Sequence, residues 1–232
     1  MITIRRAEER GSADHGWLLT RHTFSFADYH DPAHTGFGPL RAINDDVVKP
    51  GQGFGMHHHK DMEIISYVLD GTLEHKDSMG NVSRLKAGEI QRMAAGTGVR
   101  HSEYNPSDAR DVHFLQIWIE PNRTGVAPEY EYCAVPPPDK RGKLKCIASP
   151  DASGGSMRIN QDAMVYCAVL GAGVETALTL DPIRRAWVHV ATGECGVCGI
   201  RGRAGDGFAI TQEKAVFIRG FQECEILVFD LP

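Results

Sequence analysis

The sequence predicts an all-β protein of the sandwich or barrel kind, in which a second strand-rich segment echoes the first. Strand signals are short, frequent and separated by turn residues, the pattern of sandwiches and barrels. No long amphipathic helical period interrupts them. The second half echoes the first: Tyr67-Val68-Leu69-Asp70-Gly71-Thr72-Leu73 resembles Val188-His189-Val190-Ala191-Thr192-Gly193-Glu194, and Lys86-Ala87-Gly88-Glu89 resembles Arg203-Ala204-Gly205-Asp206. Each half thus runs strand, glycine turn, strand, acidic glycine turn, which reads as an internal duplication.

The first half shows the elements in order. Glu63–Leu69 is a strand that ends at Asp70-Gly71, a hairpin-turn signal. Thr72–His75 follows, then a turn at Met79-Gly80-Asn81, then Val82–Leu85. Lys86–Glu89 turns into Ile90–Met93, and Ala95–Gly98 turns into the strand bearing His101. His113–Ile119 alternates apolar residues and stops near Pro121. A short helix is expected after Asp28 or Asp162. Pro136-Pro137-Pro138 favours extended polyproline structure over a helix. The predicted division is therefore a first strand-rich domain over 1–133, a proline-rich linker over 134–143 and a second strand-rich domain over 144–232.

The 232 residues allow one large or two small domains, and 42% hydrophobic with 24% charged residues is ordinary for a globular protein. A net charge of −5 argues against a dedicated nucleic-acid binder. No apolar run approaches the ~20 residues needed to span a bilayer. The N-terminus lacks the apolar stretch of a signal peptide, so a cytoplasmic location is expected. There the six cysteines stay reduced. Cys195-Gly196-Val197-Cys198 is a lone CxxC without the second pair that a four-cysteine zinc site needs.

The chemistry concentrates in His57-His58-His59 and His101-Ser102-Glu103. Residues i and i+2 of a strand share a face. His57 and His59 therefore point one way, as do His101 and Glu103, and two such strands facing each other offer three imidazoles and one carboxylate to one point. That donor set suits a divalent transition metal, iron in particular. A terminal tag or a solvated loop would explain a lone histidine run, but this run is internal and two paired motifs are hard to produce by accident. His58 should face away from the metal. Glu63 is the rival carboxylate, and Glu103 is favoured because it sits two residues from His101; a β-bulge at 101–103 would undo that argument. His75 and His113 are expected to support the site rather than ligate, and Tyr104 and Asn105 to brace the ligand strand. The second half has a single histidine, His189, so the metal site belongs to the first half alone.

The first half also fits, loosely, the two-part cupin signature. Its first part runs Gly51, His57-x-His59, Glu63. The second runs Gly88, Gly96, His101-x-x-x-Asn105, with Ala94 at a usual proline. A longer set of segments is more specific: His22–Tyr29, Leu40–Asp46, Gly53–Glu63, Glu74–Asn81, Gly96–Asn105, Gly205–Ile210 and Ile226–Pro232. Together they resemble the pirin family over nearly the whole chain, especially the bacterial branch that is similar to quercetin 2,3-dioxygenases. The resemblance implies a bicupin, two jelly-roll-like antiparallel barrels with a metal only in the N-terminal one. It implies His57, His59, His101 and Glu103 as metal ligands. His58 departs from the family pattern, which usually has proline between the first two histidines.

The resemblance further implies an oxidoreductase that cleaves a flavonol ring with dioxygen and releases carbon monoxide. Glu103 then doubles as general base within reach of the substrate hydroxyl. Iron(II) is the first choice of metal, with copper, nickel, manganese and zinc as alternatives. The expected partners are a flavonol-like small molecule and dioxygen, with neither nucleic acid nor membrane. The competing reading is a metal-binding, redox-sensing interaction protein of the pirin type, which would need a protein partner.

Overall fold

The computed structural model describes all 232 residues. The all-β expectation holds: twenty-two strands are joined by turns, with one α-helical turn and two short 3-10 turns. No helix is long and apolar enough to cross a membrane.

The chain divides into two compact units, one formed by Gly11–Gly36 and Leu40–Ala134, the other by Met1–Arg10, Phe37–Pro39 and Val135–Pro232. This differs from a single cut after residue 133. Ile2–Arg5 is a strand that pairs antiparallel with Gly207–Thr211, so the N-terminus closes the edge of the later unit. The proline run also departs from its expected extended form. Pro137–Lys140 is a single helical turn, because proline at the first helical positions loses no hydrogen bond and is already set to helical φ. Neither Asp28 nor Asp162 starts a helix. Each lies among turn residues too few to nucleate one.

The earlier unit is a pair of antiparallel sheets. The larger runs, edge to edge, Glu129–Ala134, Glu89–Ala94, Glu63–Asp70, Val112–Ile119, Leu40–Val48, Leu18–His22 and Gly11–Asp14. The smaller runs Gly53–His59, Val99–Tyr104, Thr72–Asp77 and Val82–Lys86. Between them lies an apolar cluster drawn from both sheets, with Val68, Val112 and Phe114 from one and Leu73 and Leu85 from the other. Of the large-sheet strands that supply it, Glu63–Asp70 is buried on both faces, from Glu63 through Val68.

The later unit repeats this plan, again with seven strands and four. Glu63–Asp70, flanked by Glu89–Ala94 and Val112–Ile119, has its counterpart in Arg185–Thr192, flanked by Gly207–Thr211 and Cys224–Leu231. The duplication read from the sequence is thus a duplication of topology. What differs is the filling. The strand pair matching the histidine strands turns Leu178, Val216 and Ile218 toward an apolar core that includes Phe208 and Val188.

One turn assignment changes. Asp70-Gly71 does not join a hairpin, because Glu63–Asp70 lies in the large sheet and Thr72–Asp77 in the small one. Gly71 is a corner where the chain switches sheets, with φ +79° and no room for a Cβ, which would lie 2.6 Å from the Asp111 carbonyl oxygen. Gly193 makes the equivalent corner in the later unit, at φ +72°.

Candidate metal centre

Two neighbouring strands of the small sheet carry the histidines. Gly53–His59 pairs antiparallel with Val99–Tyr104, placing His57 opposite His101 and His59 opposite Val99. A register shift does occur in this pair: Glu103 lies opposite Phe54, so three steps on one strand match two on the other. The extra residue falls in Gly53–His59, around Gly55 and Met56. On its other side the His101 strand pairs in regular register with Thr72–Asp77, His101 opposite Asp77 and Glu103 opposite His75. Alternation along Val99–Tyr104 therefore survives, and His101 and Glu103 both point inward, each 1% exposed.

The rings of His57, His59 and His101 converge. Their centroids lie 4.7 Å apart for His57–His59, 4.5 Å for His57–His101 and 4.9 Å for His59–His101. One nitrogen from each falls within 4.8 Å of the others. His58, between them, is exposed, as alternation requires. Its ring lies close to Gly98, where a Cβ would meet Nε2 at 3.0 Å.

Glu103 joins His101 and His75 in a second triad of potential ligands, distinct from the three-imidazole group. Its carboxylate is engaged from the large sheet. Oε1 accepts from Ser66 Oγ at 2.7 Å and Gln91 Nε2 at 2.8 Å, and Oε2 accepts from Gln116 Nε2. These three side chains hold the carboxyl group of Glu103 in place on the strand that carries His101. Glu63, the rival carboxylate, lies instead in an ion pair with Arg92 at 3.0 Å, with both side chains buried. It belongs to neither triad.

The site's polarity matches what a metal requires. Burial, followed by the charges of the neighbouring imidazoles, pushes His59 from the ordinary 6.5 down to about 4 and His101 down to about 3. Both rings are therefore neutral at pH 7, the form in which an imidazole can ligate. His57 turns Nδ1 toward the Gly55 carbonyl oxygen at 2.8 Å, which makes Nδ1 the protonated nitrogen and leaves Nε2 bare. His101 Nε2 is buried and meets no hydrogen-bond partner, an orphan that a cation would satisfy. Three imidazoles with a carboxylate beside them fit a divalent first-row transition metal.

The surroundings hold side chains that the sequence reading did not single out. Trp118 sets its edge against His59, with ring centroids 5.0 Å apart. Ser66 and Gln116 are polar residues with apolar or aromatic neighbours on both sides, a signal available in the sequence, whereas Gln91 lies next to Arg92 in a mixed strand. Asn105 does not touch the ligands. Its Nδ2 donates to the carbonyl oxygens of Val48 (2.9 Å) and Arg110 (2.7 Å), pinning the end of the His101 strand. Tyr104 is 39% exposed and packs over Gly53. His113 is paired with Asp45 at 2.6 Å and belongs to neither group of potential ligands. Cys195 and Cys198 are free thiols in the later unit, Cys195 buried in its core and Cys198 half-buried at a turn with φ +48°. Both groups of potential metal ligands lie in the earlier unit.

Comparison with known proteins agrees with this arrangement. Residues 3–119 match the Pirin family and residues 146–231 the quercetinase C-terminal cupin domain. The chain is 48% identical to quercetin 2,3-dioxygenase of Escherichia coli (strain K12), covering 100% of this chain and 99% of that protein. It is 40% identical to a pirin-like protein of Caulobacter vibrioides, over 99% of each. The crystal structure of the bacterial pirin YhhW from Escherichia coli, in complex with nickel(II), superposes with a TM-score of 0.95 at 47% identity, covering 100% of this chain and 99% of that one. With two antiparallel barrels, a histidine cluster in only one of them and relatives matched from end to end, the chain belongs to the pirin family of bicupins.

Proposed function

We propose that this protein is a metal-dependent oxidoreductase of the quercetin 2,3-dioxygenase type, opening the central ring of a flavonol with dioxygen and releasing carbon monoxide. One observation carries the reading: three imidazoles converge from adjacent strands, one of them presenting a buried nitrogen without a partner, beside a carboxyl group. His57, His59 and His101 would hold the ion, with Glu103 as fourth ligand. When bound, a redox-active divalent metal supplies a Lewis acid and a route for electrons to dioxygen; iron(II) is our choice among the metals this donor set accommodates.

The chain's own residues do the rest. His57 and His59 are only partly buried, so the centre faces accessible space on their side, while His101 and Glu103 form its closed back. Glu103, acceptor-only in its grip of Ser66, Gln91 and Gln116, takes the proton of the flavonol hydroxyl. Trp118 offers an apolar ring wall next to His59. The relatives named quercetin 2,3-dioxygenase support the substrate class.

The test is direct. Purified protein reconstituted separately with iron, nickel, copper and manganese is given quercetin under air. Loss of flavonol absorbance with carbon monoxide in the headspace supports the reading. No turnover with any of the metals, in protein that has bound them, sinks it and favours a metal-binding interaction protein.

A further inference from the structure

A buried carboxylate and a second histidine stand behind His101. Asp77 and His75 have fully buried side chains, and His75 Nε2 lies 3.1 Å from Asp77 Oδ2. Asp77 Oδ1 accepts from the backbone N–H groups of Met79 (2.9 Å) and Asn81 (3.0 Å), and Oδ2 from Asn81 Nδ2 (2.8 Å). Surrounded by donors, Asp77 is an acceptor toward His75, so His75 carries its proton on Nε2. Its other nitrogen, Nδ1, then offers a lone pair.

That lone pair faces two groups, Gln91 Nε2 and His101 Nδ1, each at 3.4 Å. Gln91 makes shorter contacts with Glu103 Oε1 at 2.8 Å and Ser66 Oγ at 3.0 Å, which take its two amide hydrogens. Tyr130 fixes that amide by donating to Gln91 Oε1 at 3.0 Å, and stacks on His75 with centroids 4.7 Å apart and planes 18° from parallel. His101 Nδ1 is left as the donor to His75. A neutral imidazole protonated at Nδ1 has its lone pair on Nε2, the nitrogen that is buried without a partner.

We propose that Asp77 and His75 are positioning residues that set the tautomer and ring orientation of His101, so that Nε2 is ready to ligate before any metal arrives. The relay runs Asp77 to His75 Nε2–H, and His75 Nδ1 to His101 Nδ1–H. It accounts for the second triad of His75, His101 and Glu103 without a second cation site, since His75 supports His101 rather than ligating. It rests on the metal-centre reading for its purpose but not for its hydrogen bonds.

Two measurements test it. The first is long-range proton–nitrogen NMR of the metal-free protein, with the His101 ring identified by its loss in His101→Ala. The expected spectrum has His101 protonated at Nδ1 and bare at Nε2; a proton on Nε2 overturns the proposal whether or not metal binds. The second is nickel(II) titration of wild type, His75→Phe and His75→Asn, each first shown to be folded by its thermal transition. His75→Phe keeps the stack on Tyr130 and removes the acceptor, and its affinity should fall by about 10- to 100-fold, the usual effect of losing a partner behind a metal-bound histidine. Asparagine places an amide oxygen near the Nδ1 position and should recover most of the loss. A folded His75→Phe with wild-type affinity overturns the relay. Should wild type itself bind no nickel, the metal-centre reading fails while the NMR result still decides the tautomer.

Discussion

Glu63 and Arg92 lie 3.0 Å apart with side chains 1% and 0% exposed, a charge pair sealed within the earlier barrel. Arg92 also reaches Glu129 at 3.1 Å, but Glu129 is 53% exposed and a weaker partner. A glutamate that neutralises a buried guanidinium is committed to structure. Glu63→Gln should therefore destabilise the fold, by about 3 kcal/mol, because removing one partner strands the other charge. Nickel affinity of the folded variant should match wild type. Denaturant unfolding and metal titration check the two halves of this prediction; lost metal binding in a folded variant would restore Glu63 as a ligand.

The histidine run divides by strand parity. His57 and His59 face His101, whereas His58 is exposed. His101→Ala should bring metal content down to background, while His58→Ala should leave stoichiometry at the wild-type level. Metal analysis after dialysis reads both.

Protons compete with the metal and with the fold in the same direction. His59 and His101 are held at about 4 and about 3, below the ordinary 6.5, chiefly by burial. Unfolding frees both rings to protonate below pH 6.5, so the metal-free protein is expected to lose stability as pH falls from about 6.5 toward 4. Thermal melts across that range should show a falling Tm, and His59→Ala should make the dependence shallower. A Tm independent of pH between 7 and 4.5 would contradict the burial of these rings.

Asp46 works the other way. It is 3% exposed, and burial pushes its carboxyl from the ordinary 3.8 up to about 7, against a smaller opposing effect of a hydrogen bond from Thr20. A raised acid is comfortable protonated, so its ionisation costs stability as pH rises from about 4 to 7, on the order of a few kcal/mol in all. Asp46→Asn removes that cost. The variant should be more stable than wild type at pH 8 and indistinguishable from it at pH 4, as read by urea unfolding at the two values.

The histidine cluster was legible because strand parity is local: two i,i+2 pairs state their own direction once the segments are recognised as strands. The bulge in Gly53–His59 did not spoil this, since the His101 strand stays regular against Thr72–Asp77. The Asp70-Gly71 corner was misread as a hairpin for a physical reason. A tight turn between two strands has one local signature whether the second strand pairs with the first or crosses to the facing sheet, and only the global pairing decides. The placement of Ile2–Arg5 against Gly207–Thr211 is likewise a long-range pairing that no local pattern encodes. The grip of Ser66, Gln91 and Gln116 on Glu103 lay between these limits. Ser66 and Gln116 stood out as polar between apolar neighbours, but Gln91 did not beside Arg92, and the convergence of all three needed the register that sets Ser66 opposite both Gln91 and Gln116.

The most direct measurement is anomalous scattering from crystals of the nickel- or iron-loaded protein. A single peak per chain bounded by His57, His59 and His101, with His101 approaching through Nε2 and Glu103 on its side, is the expected result. No peak after loading, or a peak held by other side chains, would contradict the metal centre and with it the proposed chemistry.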